Sequence, residues 1–383
     1  MAEFLDVLES WDGYRPVPSM QLNEAAMAQA LDLLNNTARM PAHRHRYLLT
    51  EAVTTSDFPV LFGGIIDRQM LALYTAAPSP WRSYVPTGTL NSFRVATVHK
   101  VQGNQQLLER VREKEEYPIT AMAEGHYDRR LFKRGRMFDI SWEAIINDFM
   151  DAFGDMPQRF ANAALYTEAF LATAIYAAAA GPNPLLFGAP IADPADGQNV
   201  TNAGVLPLTI LNLETTINLM AAQTDVQGRP LGIQAAHLVV PPALQFVARA
   251  ILTSAFKQHV DTAGGANAAA TTFVPLPTTN VVSQIGLQLH VDPKLPVIDG
   301  ASPNTTWYLF ADQSAGRWGQ LDFLRGHETP EICMKASNKV SLTGQLLDPF
   351  GGDFETDDIM WRVRHCLGGA QLDPRYAYAQ VGP

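Results

Sequence analysis

Residues Pro157 to Ala180 (PQRFANAALYTEAFLATAIYAAAA) read as one long, Ala-rich helix, and no other stretch constrains the chain so strongly. Asp155 and Pro157 are start signals, and Gly181-Pro182 is a stop, so the expected helix occupies 155–181. At 1.5 Å per residue, two dozen residues make a rod roughly 36 Å long. Phe160, Ala164, Tyr166, Phe170, Leu171 and Ala174 give it apolar surface, and its small Ala side lets other segments pack closely. A rod of this kind serves as the spine of a flat domain.

The segments before it have a different character. Residues 1–58 read as an extended, partly helical arm. In it Leu22, Met27, Leu31 and Leu34 stand at helical spacing between proline-bearing stretches. A small basic cluster, His43 to Arg46, follows, and a second helix is expected over Phe58 to Tyr74. Between Glu109 and Arg136, 14 of 28 residues are charged, with strand-like runs at Phe93–His99 and Arg136–Ser141 on either side. A long hairpin with a charged tip fits this pattern. A lone two-stranded ribbon is marginal in water, so such a hairpin must lie on a partner.

Beyond the spine, a Pro/Gly/Asp-rich loop (181–204) leads to an expected helix at Leu208–Met220. A buried strand follows at His237–Val240, then a helix opening at Pro241-Pro242 and a loop at Gly264–Ala270. Strands are expected at Gln284–Val291 and Thr306–Phe310, and the last segment, Met360–Val381, is strand-like and rich in aromatic residues. There is no regular βαβ rhythm and no internal repeat, so the fold class is α+β.

Function classes narrow by exclusion. The chain has 383 residues, enough for two domains, with 17% charged residues and a net charge of −10. An acidic chain does not suit a nucleic-acid reader, but it does suit the wall of a container for DNA. Cys333 and Cys366 form no disulfide framework and no metal spacing. There is no signal-peptide pattern, and the longest apolar stretch, Ala169–Ala180, is too short to cross a bilayer, which points to a soluble chain made in the cytoplasm.

Phosphate-binding, dinucleotide-binding, zincin and hydrolase motifs are missing. His327 beside Glu328 is a poor acid–base pair, since sequence neighbours rarely face one another. Asp353, Glu355, Asp357 and Asp358 match no calcium loop and read as a solvated turn. His365 and Cys366 point to opposite faces of a strand. No catalytic residue, cofactor or metal ligand is proposed.

Several segments carry a family pattern. They are TTSDFPVLFGGIIDRQMLALYTAAPSPWR from Thr54, GRMFDISWEAIINDFMDAF from Gly135, TDVQGRPLGIQAAHLVVPPALQFVARAIL (Thr224–Leu252), LHVDPKLP (Leu289–Pro296), TTWYLFAD (Thr305–Asp312) and WRVRHCLGGAQLDPRYAYAQVG (Trp361–Gly382). In this order the chain resembles the major head subunit family of Mu-like phages and prophages, whose fold is similar to the Hong Kong 97 (HK97) capsid protein. The resemblance implies an N-terminal arm (1–90), an extended hairpin loop (91–140) and a peripheral domain with its spine (141–204). An axial domain (about 205–335) follows, and 336–383 returns to the peripheral domain.

The same resemblance implies hexamers and pentamers in an icosahedral head assembled in the host bacterial cytoplasm. Packaged double-stranded DNA would lie inside without sequence readout, with portal and scaffolding or decoration proteins as partners and no membrane. Arg129, Arg130, Lys133 and Arg134, set against Glu113, Glu115 and Glu116, offer pairing between adjacent copies. The alternatives are an encapsulin-like compartment in the same fold, or a cytosolic enzyme.

Overall fold

The computed structural model describes residues 70–77, 79–102, 110–113, 123–141, 150–225, 228–259, 276–335, 338–339 and 353–382. The basic cluster at 43–46, the helix at 21–35 and the loop at 264–270 therefore lie outside the described residues, as does most of the expected helix at 58–74. The chain divides into two compact units, the larger made of 70–136, 158–331 and 363–383, the smaller of the rest. The architecture is α+β, with helices and strands intermixed along the chain.

In the larger unit, helix α1 (residues 70–76) precedes β1 (Thr87–Leu90). Strands β2 (Ala96–Gln102), β3 (Ala123–Arg129) and β4 (Phe132–Ser141) follow. The spine is α2 (Met150–Tyr176), of which 158–176 belongs to this unit. It starts earlier than Asp155 and ends four residues before Ala180. Its end is set by Asn183, which is buried and donates its side-chain amide to the carbonyls of Ala174 and Ile175, while its backbone N–H reaches Tyr176. Those carbonyls are among the groups that a helix leaves without an internal partner. The chain then turns through β5 (Ala177–Ala178) and β6 (Gly181–Pro182), with Gly181 at φ 116°. The last alanines are thus strand and turn rather than helix.

A further short pair, β7 (Ile191–Ala192) with β8 (Asn199–Val200), shapes the loop that follows. The main sheet of this unit has the order β13-β10-β14-β18-β9, that is Gln288–Val291, Ala235–Val240, Thr306–Ala311, Ala377–Val381 and Ala203–Gly204. Strand β14 (TWYLFA) is buried at every position because both sheet faces are covered. Trp307, Leu309 and Ala311 face a core built with α3 (Ile210–Ala221), α4 (Gln245–Thr253) and α5 (Val282–Ile285). Tyr308 and Phe310 face the other core, with Ile175 and Tyr176 of the spine and Trp318, whose ring stacks 4.1 Å from Phe310. Fully burying each large side chain contributes about 1.5–3 kcal/mol, so one strand anchors both cores.

The expected strand at Gln284–Val291 divides in two. Val282–Ile285 is a helical turn, stopped by Gly286 at φ 81°, and only Gln288–Val291 is extended. Between α4 and α5, β11 (Phe256–His259) pairs with β12 (Leu276–Thr279). Helix α3 begins at Thr209, whose hydroxyl accepts from the Asn212 N–H. A short α6 (Leu295–Ile298) completes the helices of this unit among the described residues. The second sheet runs β1, then β15 (Gly319–Leu324), then the 363–371 part of β17 (Asp358–Gln371).

In the smaller unit, β16 (Glu331–Met334) accompanies the start of β17, and Phe138 stacks 5.1 Å from Trp361. The acidic residues form a turn closed by the Asp353 N–H on the Asp358 carbonyl. Asp353 pairs with Lys335 at 3.2 Å and Asp357 pairs with Lys339.

Candidate assembly site at the root of the hairpin

Strands β2 and β3 pair antiparallel over seven positions, from Ala96↔Arg129 to Gln102↔Ala123. Side chains alternate across a strand. Gly125, Tyr127 and Arg129 therefore turn inward with Lys100, while His126, Asp128, Thr97 and His99 stay in solvent. The inward face of this ribbon thus carries three polar groups, and each meets a buried carboxylate.

Lys100 Nζ lies 3.2 Å from Asp193 and also pairs with Asp373, with Asp196 at 3.9 Å. The Tyr127 hydroxyl donates to Asp193 Oδ1 at 2.8 Å. Arg375, buried in the turn before β18, binds the same three aspartates, with Asp196 at 2.7 Å and Asp373 at 3.3 Å. Three carboxylates against two cations nearly neutralise one another, which is what a buried polar cluster requires. Burial works to raise the Asp193 carboxyl. Lys100, the Ala195 amide, the Tyr127 hydroxyl and Arg375 outweigh it and hold the group below its ordinary range. Gly125 lies against the Ala195 carbonyl, so a side chain at 125 would strike the very loop that presents Asp193.

The second anchor sits where β3 gives way to β4. Arg129 Nη1 bonds Asp322 Oδ1 at 2.9 Å, and Asp322 is 1% exposed. Asp322 occupies the middle of β15, flanked in register by Gly88 on β1 and Gly368 on β17. These two glycines open a slot across the sheet, and the Arg130 carbonyl rests on Gly368. Leu131, buried beside it, and Gly135, set against the Val363 carbonyl, continue the seat. Burial pushes the Asp322 carboxyl above its ordinary range, with Arg129 and Gln320 opposing. Among the described residues, Arg129 Nε and Asp322 Oδ2 are buried without a hydrogen-bond partner.

The charged residues expected to meet neighbouring copies separate into groups. Arg129 turns inward to Asp322 and acts within the chain. Arg130, Lys133 and Arg134 are exposed, with the Arg130 guanidinium 5.4 Å over the Phe132 ring. Glu113 is exposed; Glu115 and Glu116 lie outside the described residues. The anchors Lys100, Tyr127, Asp193, Asp322 and Arg375 are missed by a count of charges. Only the period-two spacing of Gly125, Tyr127 and Arg129 signals an inward face.

Other polar side chains are absorbed into structure. Glu168 of the spine is fully buried, accepting from Tyr74, from His365 Nε2 (2.9 Å apart) and from Arg82 at 3.3 Å. His327 pairs with Glu331, one helical-type step away, rather than with Glu328. Cys333 and Cys366 are free thiols. Among the described residues no cluster of His, Cys, Asp and Glu is arranged to hold a metal ion, and no helix is long and apolar enough to cross a membrane.

No curated protein matches the chain. Among solved structures, the capsid structure of the cyanophage P-SCSP1u is 12% identical, covering 78% of this chain and 86% of that one at a TM-score of 0.45. A chain of Microbacterium phage Oxtober96 is 10% identical, covering 80% and 92% at 0.45, and one of Mycobacterium phage Patience is 10% identical, covering 87% and 91% at 0.44. A family model for phage capsid proteins matches residues 127–380, from Tyr127 at the hairpin root through β18. The chain therefore belongs to the phage capsid protein family and is a structural subunit of a phage shell.

Proposed function

We propose that this chain assembles as hexamers and pentamers into an icosahedral head, in the HK97-like arrangement, and that it catalyses no reaction. The observation that carries the reading is the doubly anchored hairpin root in a chain of this family. A ribbon that cannot stabilise itself is fixed by its own subunit at the base, a mounting that suits a loop meant to engage a neighbour. Arg130, Lys133 and Arg134, which are exposed, with Glu113, Glu115 and Glu116 of the same charged sequence stretch, are the charges offered to adjacent copies. Exposed pairs contribute only ~0–1 kcal/mol each, so they set register more than strength.

In this reading 1–90 is the arm, 91–140 the hairpin loop, 141–204 and 336–383 the peripheral domain and 205–335 the axial domain. Double-stranded DNA is enclosed without sequence readout, a portal completes the head, scaffolding or decoration proteins assist, and assembly takes place in the host bacterial cytoplasm. The family match lends no support to a cargo compartment or a cytosolic enzyme. Electron microscopy of the chain expressed alone, after sizing on a gradient, tests the reading. Shells, tubes or five- and six-membered rings are expected; a small oligomer that stays soluble even beside the neighbouring phage proteins overturns it.

A further inference from the structure

The three helices that cover one face of the main sheet turn an apolar surface outward. Helix α3 buries Leu213, Thr216 and Met220 and exposes Leu211, while α4 buries Ala248 and Ile251 and exposes Phe246 and Val247. Helix α5 exposes Ile285, with Val281 just before it. Phe246 is 77% exposed and Phe256, which follows α4, is 65% exposed. With ~150–250 Å² per aromatic side chain, Phe246 alone leaves on the order of 150 Å² of apolar surface in water. Leu211, Val247, Val281 and Ile285 of the same helical layer are exposed as well, and exposed apolar surface on this scale marks interaction sites.

The face is also nearly without charge. Helix α3 carries one charged residue, Glu214, already paired with Lys257; α4 carries Arg249 alone; and α5 carries none. Helices α4 and α5 are held together by Asn280, which is fully buried. Its amide donates to the carbonyls of Ile251 and Ser254 at the end of α4, and its side-chain oxygen accepts from the Val282 N–H that opens α5. The α4–α5 part of the face is therefore a fixed surface, not a chance exposure on a loop.

We propose that this outward face of α3, α4 and α5 is where a second copy of the same chain seats in the assembled shell. The inference rests on the assembly reading above and adds the surface to it. A subunit of net charge −10 repels its own copies, so like-charged subunits meet most readily through uncharged surface. Interface centres are depleted of charge and enriched in aromatic residues, as Phe246 is placed here. The lack of exposed basic residues, Arg249 aside, argues against DNA as the occupant.

The test uses the full chain. Phe246→Glu removes an exposed ring, so circular dichroism and thermal unfolding should match wild type, while the concentration needed for ring or shell formation rises at least about tenfold by analytical ultracentrifugation. Phe246→Cys in a Cys333→Ser background should react quickly with a bulky maleimide when unassembled and slowly in assembled material. Assembly of Phe246→Glu at the wild-type concentration overturns the proposal, as does equal labelling of Phe246→Cys in both states. Protection that appears only on adding a different phage protein assigns the face to that protein and also overturns it. Should Phe246→Glu misfold, the labelling result decides. A wild-type chain that never assembles overturns the assembly reading itself, which separates the two failures.

Discussion

Arg129→Ala tests whether the hairpin is held by its root. Asp322 lies beneath the ribbon at 1% exposure, and Arg129 supplies its opposite charge at 2.9 Å. Removing one partner of a buried ion pair typically costs 3–5 kcal/mol, because the remaining charge stays desolvated. The Arg129 side chain keeps 16% of its surface in water, which screens part of the effect, so the expected loss is about 3 kcal/mol, at the low end of that range. The loss is read by chemical denaturation at pH 7, with hydrogen exchange across 96–102 and 123–129 reporting local release of the ribbon.

The pH dependence has a definite sign. Burial already raises the Asp322 carboxyl, and without Arg129 only the Gln320 amide and the weaker influence of Arg317 oppose it. The folded variant then binds a proton that the unfolded chain binds only at lower pH, so the variant's deficit shrinks as pH falls from 7 toward 5. Adding Asp322→Asn should recover most of the loss at pH 7, since a neutral amide needs no counter-charge. An Arg129→Ala loss under 1 kcal/mol, or a double variant no better than the single one, would refute the anchoring argument.

Other expectations follow from the same contacts. Deleting 104–121 behind a short glycine linker keeps Lys100, Tyr127 and Arg129, so the chain should fold normally yet fail to close shells in electron micrographs; a deletion of 109–134 would also remove both anchors on β3 and confuse the two effects. Gly368→Ala sets a methyl group against the Arg130 carbonyl and should unseat the hairpin, detected as faster exchange and proteolysis near Arg130, with a cost of about 1–3 kcal/mol. Asn280→Ala leaves two buried carbonyls and one N–H without their partner, for a loss of about 1–3 kcal/mol in thermal or chemical unfolding.

The parts legible in the sequence are those whose cause is local. The strand at Thr306 and the run around His237 are apolar at nearly every position because their sheet is covered on both faces, and an unbroken apolar run says so. The start of α3 is legible for the same reason, since Thr209 caps it from an adjacent position. What escapes is fixed by distant partners. The spine was expected to run to its last alanine, but Asn183 takes the carbonyls of Ala174 and Ile175 and ends it at Tyr176. In the charged stretch, a tally treats Arg129 and Arg130 alike, yet strand alternation sends one to Asp322 and leaves the other in solvent. Asp193, Asp373 and Arg375 meet Lys100 from far along the chain, and no spacing in the sequence announces that meeting.

The seat beneath the hairpin is made largely of main chain. Gly125 on the Ala195 carbonyl, Gly135 on the Val363 carbonyl and Gly368 under the Arg130 carbonyl are contacts in which the pivotal residue contributes no side chain. The mounting and what is mounted on it are thus written in different residues. Changes to the exterior of the ribbon therefore act on what it meets and not on how it is seated, so long as three glycines and two buried ion clusters are left alone. In engineering terms the base is a fixed socket, machined separately from whatever it holds.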